Sequence, residues 1–83
     1  MTREEVLELI RAHLADELEI DPARVTEATH FKRDLDADSL DLYELVMELE
    51  DTYGVSVPED EAANLETVGQ AVDFVARRLG ASA

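Results

Sequence analysis

The sequence predicts an all-α fold: a small four-helix bundle with three main helices, one short helix and a long loop after the first helix. Three stretches carry apolar residues at helical spacing, and each follows a side-chain capping signal. The length of 83 residues leaves room for one compact core and none for a second. Residues 1–80 are therefore expected to form a single domain, with Ala81, Ser82 and Ala83 fraying after Gly80.

The first helix is announced by Thr2 followed by Glu5, a T-x-x-E capping box, and Val6, Leu7, Ile10 and Leu14 then recur on one face. These spacings predict a helix from about Arg3 to about Leu14 or a few residues beyond. Between Asp21-Pro22 and Asp34 the period lapses into polar residues, with Val25 and Phe31 as isolated apolar anchors. A long loop pinned by those two side chains is the expectation.

Asp38 with Asp41 three residues later is the second start signal, and the amphipathic stretch Leu42 to Tyr53 follows, stopped by Gly54. After Val55-Ser56-Val57, Pro58 with Glu59, Asp60 and Glu61 predicts a brief third helix ending near Asn64. Thr67 with Gln70 repeats the capping box. Val68, Ala71, Val72, Val75 and Leu79 form the last apolar stripe.

The second helix has two apolar faces. At ~100° per residue, Leu42, Leu45, Val46, Leu49 and Tyr53 share the core side, while Leu40, Tyr43 and Met47 point roughly 140° away. One small bundle cannot bury both. Asp41, Glu44, Glu48 and Asp51 edge the second strip, and an apolar centre with a charged rim has the anatomy of a docking surface. One or two exposed apolar residues need no explanation, but three in register favour docking.

Charge narrows the partners. With 21 acidic residues against 7 basic and a net charge of -14, the chain repels nucleic acid and disfavours anionic membranes. Proteins with Lys/Arg patches are attracted instead. The absence of cysteine excludes disulfides, Cys-ligated zinc and any thiol chemistry of the chain's own. Glu4, Glu5 and Glu8 spoil a signal peptide, and nothing reaches transmembrane length, so a cytoplasmic location is expected.

Ser39 falls in the first turn of the second helix, where unpaired N–H groups and the helix dipole favour a bound phosphate. Two chemistries compete for this neighbourhood. Asp34, Asp36 and Asp38 match positions one, three and five of a calcium loop, but Ser39 replaces the required Gly and Leu45 the required Glu. No metal site is expected. A hydrolase built on Ser39 with His30 or His13 lacks both a nucleophile elbow and an oxyanion hole.

The run Asp34-Leu35-Asp36-Ala37-Asp38-Ser39-Leu40-Asp41, with Glu44-Leu45-Val46-Met47 and Leu49-Glu50, resembles the acyl carrier proteins of dissociated (type II) fatty-acid synthesis. Val25 and Phe31 upstream, and Tyr53-Gly54-Val55, Val57-Pro58, Glu59 to Glu61 and Thr67-Val68 downstream, extend the resemblance over nearly the whole chain.

The resemblance implies that a phosphopantetheinyl transferase joins the 4'-phosphopantetheine of coenzyme A to Ser39, flanked by Asp38 and Leu40. Growing acyl chains then ride on that arm as thioesters to fatty-acid synthase enzymes with basic docking patches. It also implies a monomer without catalysis of its own. Asp41, Glu44, Glu48 and Asp51 correspond to the acidic recognition helix, with Tyr43 and Met47 adding apolar contacts.

Other readings are a dedicated carrier for a polyketide or other secondary pathway, an unmodified acidic adaptor and a calcium-binding protein. Two departures from the family stand out: Asp36 where Gly is common, and the larger pair Leu42-Tyr43. Asp tolerates the left-handed conformation better than most residues, so the turn is expected to survive.

Overall fold

A computed structural model describes residues 2–79, so the expected fraying of the Ala81-Ser82-Ala83 tail lies outside the described residues. Helix α1 spans Arg3–Leu18, α2 Ser39–Tyr53, α3 Glu59–Ala63 and α4 Val68–Arg78. The all-α bundle expected from periodicity is the architecture observed.

The Thr2 hydroxyl accepts the Glu5 N–H at the start of α1. The helix outlasts its Val6, Ile10, Leu14 stripe because Leu18 and Ile20 also pack on the core. It ends where Glu19 takes the left-handed conformation (φ 54°) and donates its N–H to the Ala15 carbonyl. A single 3-10 turn follows at Pro22–Arg24, capped by the Asp21 carboxylate on the Ala23 N–H.

The loop between α1 and α2 is fastened at both levels. Val25 and Phe31 are fully buried, and the buried Thr29 hydroxyl donates to the Arg24 carbonyl. The backbone is tied to the approach and first turn of α4: Phe31 N–H to Glu66 O at 3.0 Å, Val68 N–H to Thr29 O and Gly69 N–H to Glu27 O, both at 2.9 Å. Gly69 makes this approach possible. A Cβ there would lie 2.9 Å from the Glu27 carbonyl oxygen, on backbone that cannot swing aside.

Gly69→Ala is therefore expected to destabilise the fold by about 1–3 kcal/mol, typical of overpacking. Alanine is the better helix former by about 1 kcal/mol, so the two effects oppose and the clash decides the sign. A lower urea midpoint at unchanged slope is the expected observation. A rise in the midpoint would show that the loop yields at this point.

Among the described residues, two clusters of unequal size fill the interior. The large one joins the α1 stripe, Val25, Phe31, Leu35, Ala37, Leu45, Leu49 and the α4 residues Val68, Ala71, Val72 and Val75. α1 packs mainly on α4 and less on α2. The small one contains only Val46, Val57 and Ala62, with Val55 and Phe74 against it. It is what seats α3, a five-residue helix without a side-chain cap.

Candidate functional site

Alternation in the turn before α2 decides which side chains reach solvent. Leu35 and Ala37 are buried, which turns Asp34, Asp36, Asp38 and Ser39 outward. The turn closes through Asp36 N–H to Lys32 O and Ala37 N–H to Phe31 O, both 3.0 Å. Asp36 carries φ 56°, the left-handed conformation anticipated for an Asp in place of Gly. Asp34 stabilises the same turn by accepting the His30 N–H at 2.8 Å, and that bond holds its carboxyl below the usual carboxylate range.

Ser39 is the first residue of α2 and is exposed. A complete capping box surrounds it: the Asp38 carboxylate accepts the Asp41 N–H at 3.0 Å, and the Asp41 carboxylate accepts the Asp38 N–H at 3.1 Å. The cap therefore works without the serine. Among the described residues the Ser39 hydroxyl makes no hydrogen bond and stands exposed at the helix start.

Beside Ser39 opens a groove of about 500 Å³, bounded by His30 to Arg33, by Ser39, Leu42 and Tyr43 of α2, and by Ala62, Ala63, Leu65 and Glu66. Its volume lies in the range of small-molecule sites. The loop residues were not anticipated in this position. Lys32 and Arg33 break no hydrophobic period, and only the hydrogen bonds that fold the loop back on itself bring them here.

The second strip of α2 is exposed as expected, with Leu40 at 66 %, Tyr43 at 45 % and Met47 at 59 % of full exposure. Glu44 and Asp51 are exposed beside it. The other acids have local duties. Asp41 is half-buried in its cap, and Glu48 lies 2.5 Å from His13 Nδ1, whose Nε2 lies 2.7 Å from Glu17. This clasp between α1 and α2 was not foreseen from the sequence, where His13 enters only as a possible base beside Ser39. The Tyr43 hydroxyl donates to Glu59 at 3.1 Å, tying α2 to α3, and the bond to that carboxylate raises its pKa above the ordinary tyrosine value.

Neither histidine hydrogen-bonds Ser39 among the described residues; His13 is clasped by its two carboxylates, and His30 only shares the groove wall. The calcium-loop acids are not drawn together as a ligand set: Asp34 and Asp38 accept backbone N–H groups instead. Carboxylate oxygens of Glu17, Asp41 and Glu44 lie within 4.8 Å of one another, which deepens the negative potential around α2. Among the described residues, no helix is long and apolar enough to cross a membrane.

The family model described as the phosphopantetheine attachment site matches residues 8–75. The chain is 44 % identical over 80 residues to the acyl carrier protein of Lactobacillus acidophilus, covering 96 % of this chain and 100 % of that protein. To the acyl carrier protein of Rubrobacter xylanophilus it is 49 % identical over 75 residues, 90 % of this chain and 93 % of the relative. A solved structure of the acyl carrier protein from Enterococcus faecalis superposes with a TM-score of 0.81 at 40 % identity, covering 94 % of this chain and 99 % of that one.

Proposed function

Because the chain belongs to the acyl carrier proteins, the family that carries acyl groups on phosphopantetheine for fatty-acid synthesis, we propose that Ser39 is its attachment residue. The observation that carries this reading is a serine hydroxyl exposed at the first position of α2, free of capping duty, beside a groove large enough for a tethered chain. The arm supplies the thiol that the sequence lacks, and acyl groups bind to it as thioesters.

The rest falls to this chain's own residues. Asp38 and Asp41 lock the first turn, so Ser39 is presented in one orientation to a phosphopantetheinyl transferase. The proton of its hydroxyl leaves to that enzyme, since neither histidine hydrogen-bonds Ser39 among the described residues and His13 is held by two carboxylates. Leu40, Tyr43 and Met47 give the same partner an apolar strip, with Glu44, Glu48 and Asp51 at its edge for basic patches. Leu42, Ala62 and Leu65 offer apolar lining that shields a short acyl chain from water. This chain acts as a monomeric cytoplasmic carrier without catalysis of its own.

Incubation with coenzyme A, Mg²⁺ and a broad-specificity phosphopantetheinyl transferase tests the attachment. Intact mass should rise by one phosphopantetheine; an unchanged mass would sink the reading and leave an acidic adaptor in its place. Docking has a separate test. Glu44→Lys is expected to slow association with a partner synthase by roughly threefold to tenfold at low salt, and less at high salt. Glu48→Lys should act in the same direction while also breaking the His13 clasp. Association rates equal to wild type at every salt concentration would remove α2 from docking.

A further inference from the structure

The groove beside Ser39 gathers cations in a chain of net charge -14. Of the seven Lys and Arg residues, Arg3 is held by Glu27 and Asp73, Arg11 by Glu8, and Arg78 by Glu61. Arg24 donates to the Asp34 carbonyl, and Arg77 lines a different hollow against α4. Lys32 and Arg33 are the two that share the groove with Ser39. Among the described residues Lys32 has no ion pair, and Arg33 meets only its neighbour Asp34, at 3.6 Å with 71 % of its side chain exposed.

Nearby acids hold them only loosely: the one ion pair is the long, exposed contact of Arg33 with Asp34 among the described residues. One oxygen of Asp34 accepts the His30 N–H, and Asp38 and Asp41 are directed at each other's backbone rather than at Lys32 or Arg33. Within the groove lining, Glu66 is the carboxylate set against these two cations, and His30 stands beside them. An acid group brought to Ser39 meets the surrounding aspartates as like charges, which makes an uncompensated anion unfavourable there. Two underused cations on the same groove offset that repulsion.

We propose that Lys32 and Arg33 form an anion-holding subsite on the rim of this groove. It takes an acid group carried by the arm on Ser39: either the phosphodiester itself or the free carboxylate of a dicarboxylic half-thioester. The inference rests on Ser39 being the attachment residue. Arg33 brings a planar fork of N–H donors that suits either oxyanion, and Lys32 adds a mobile point charge. Where the carboxylate is the ligand, cargo ending in a methyl group gains nothing from the pair, and the subsite sorts cargo by the charge of its far end.

The test loads the protein from coenzyme A, butyryl-coenzyme A and succinyl-coenzyme A, the last two being four-carbon groups that end in a methyl and a carboxylate. Intact mass verifies each loading. The backbone amides of Lys32 and Arg33 and the Arg33 Nε–H are then followed by NMR at low and high salt. If the phosphodiester is the ligand, these signals move between the unloaded and loaded forms and are alike for all cargoes. If the carboxylate is the ligand, they move with succinyl and not with butyryl. Either result supports the subsite.

The double variant Lys32→Gln/Arg33→Gln provides the second readout, since both side chains are exposed and the fold does not depend on them. A labelled succinyl carboxylate held by the pair should titrate about half a pH unit lower on wild type than on the variant, roughly a threefold shift in protonation. For the phosphodiester, the arm's phosphorus resonance should differ between wild type and variant and converge at high salt. Verified loading with no movement at Lys32 and Arg33 in any form, and no difference in the variant, overturns the subsite while leaving Ser39 in its role. Failure to load overturns both.

Discussion

Ser39→Ala is expected to gain no mass with coenzyme A, Mg²⁺ and the transferase, while unfolding within about 0.5 kcal/mol of wild type. Loss of modification is complete because no other side chain carries the hydroxyl at the start of α2. Near-constant stability follows from the division of labour at the cap. Asp38 and Asp41 satisfy the donors there, and the Ser39 hydroxyl satisfies none among the described residues. A mass gain in the variant equal to wild type would move the attachment to another hydroxyl, such as Thr52 or Ser56. A large loss of stability would mean that Ser39 has a structural duty which the capping geometry does not require.

Phe31→Ala is expected to have the largest effect on the fold, about 3–5 kcal/mol. The side chain is fully buried in the large cluster, and cavities of this kind collapse poorly when the surroundings are pinned. Here they are pinned by Phe31's own backbone, whose N–H reaches Glu66 and whose carbonyl accepts from Ala37. A domain of this size has about 4–12 kcal/mol in total, so the variant should be partly unfolded in dilute buffer.

Added salt should restore much of that loss, because it screens the self-repulsion of a chain with net charge -14. Circular dichroism against salt concentration measures both effects. Stability equal to wild type would mean that the loop is anchored elsewhere. A milder outcome also carries information: if the variant folds but accepts phosphopantetheine slowly, the loop sets the presentation of Ser39 more than it sets the core.

What could be read from the sequence divides along physical lines. Helix starts were legible because a cap is local: Thr2 with Glu5, Asp38 with Asp41, and Thr67 with Gln70 each lie within one turn. At Thr2 the N3 N–H bond formed, whereas the reciprocal arrangement is present at Asp38 and Thr67. The two faces of α2 were legible because a fixed rotation per residue turns spacing into direction. The positive φ of Asp36 followed from residue chemistry.

The remainder depends on contacts between residues far apart in the chain. Leu18 and Ile20 lengthen α1 and brace its end only because the core lies beside them. The 3-10 turn at Pro22–Arg24 is too short to have a stripe. His13 meets Glu48 across 35 residues, and Gly69 shows its purpose only when the Glu27 carbonyl is seen above it. The groove is the clearest case: Lys32, Tyr43 and Leu65 share no period, and folding alone makes them neighbours.

The division of the interior into a large and a small cluster has an evolutionary consequence. Ala62 belongs both to the small cluster and to the groove wall, so a substitution there reshapes the groove beside Ser39. The contacts that join α1, α4 and the loop are made by other residues. A lineage can therefore reshape the groove at Ala62 while leaving the large cluster intact, whereas exchanging Phe31, Leu42 or Leu65 touches groove and core together.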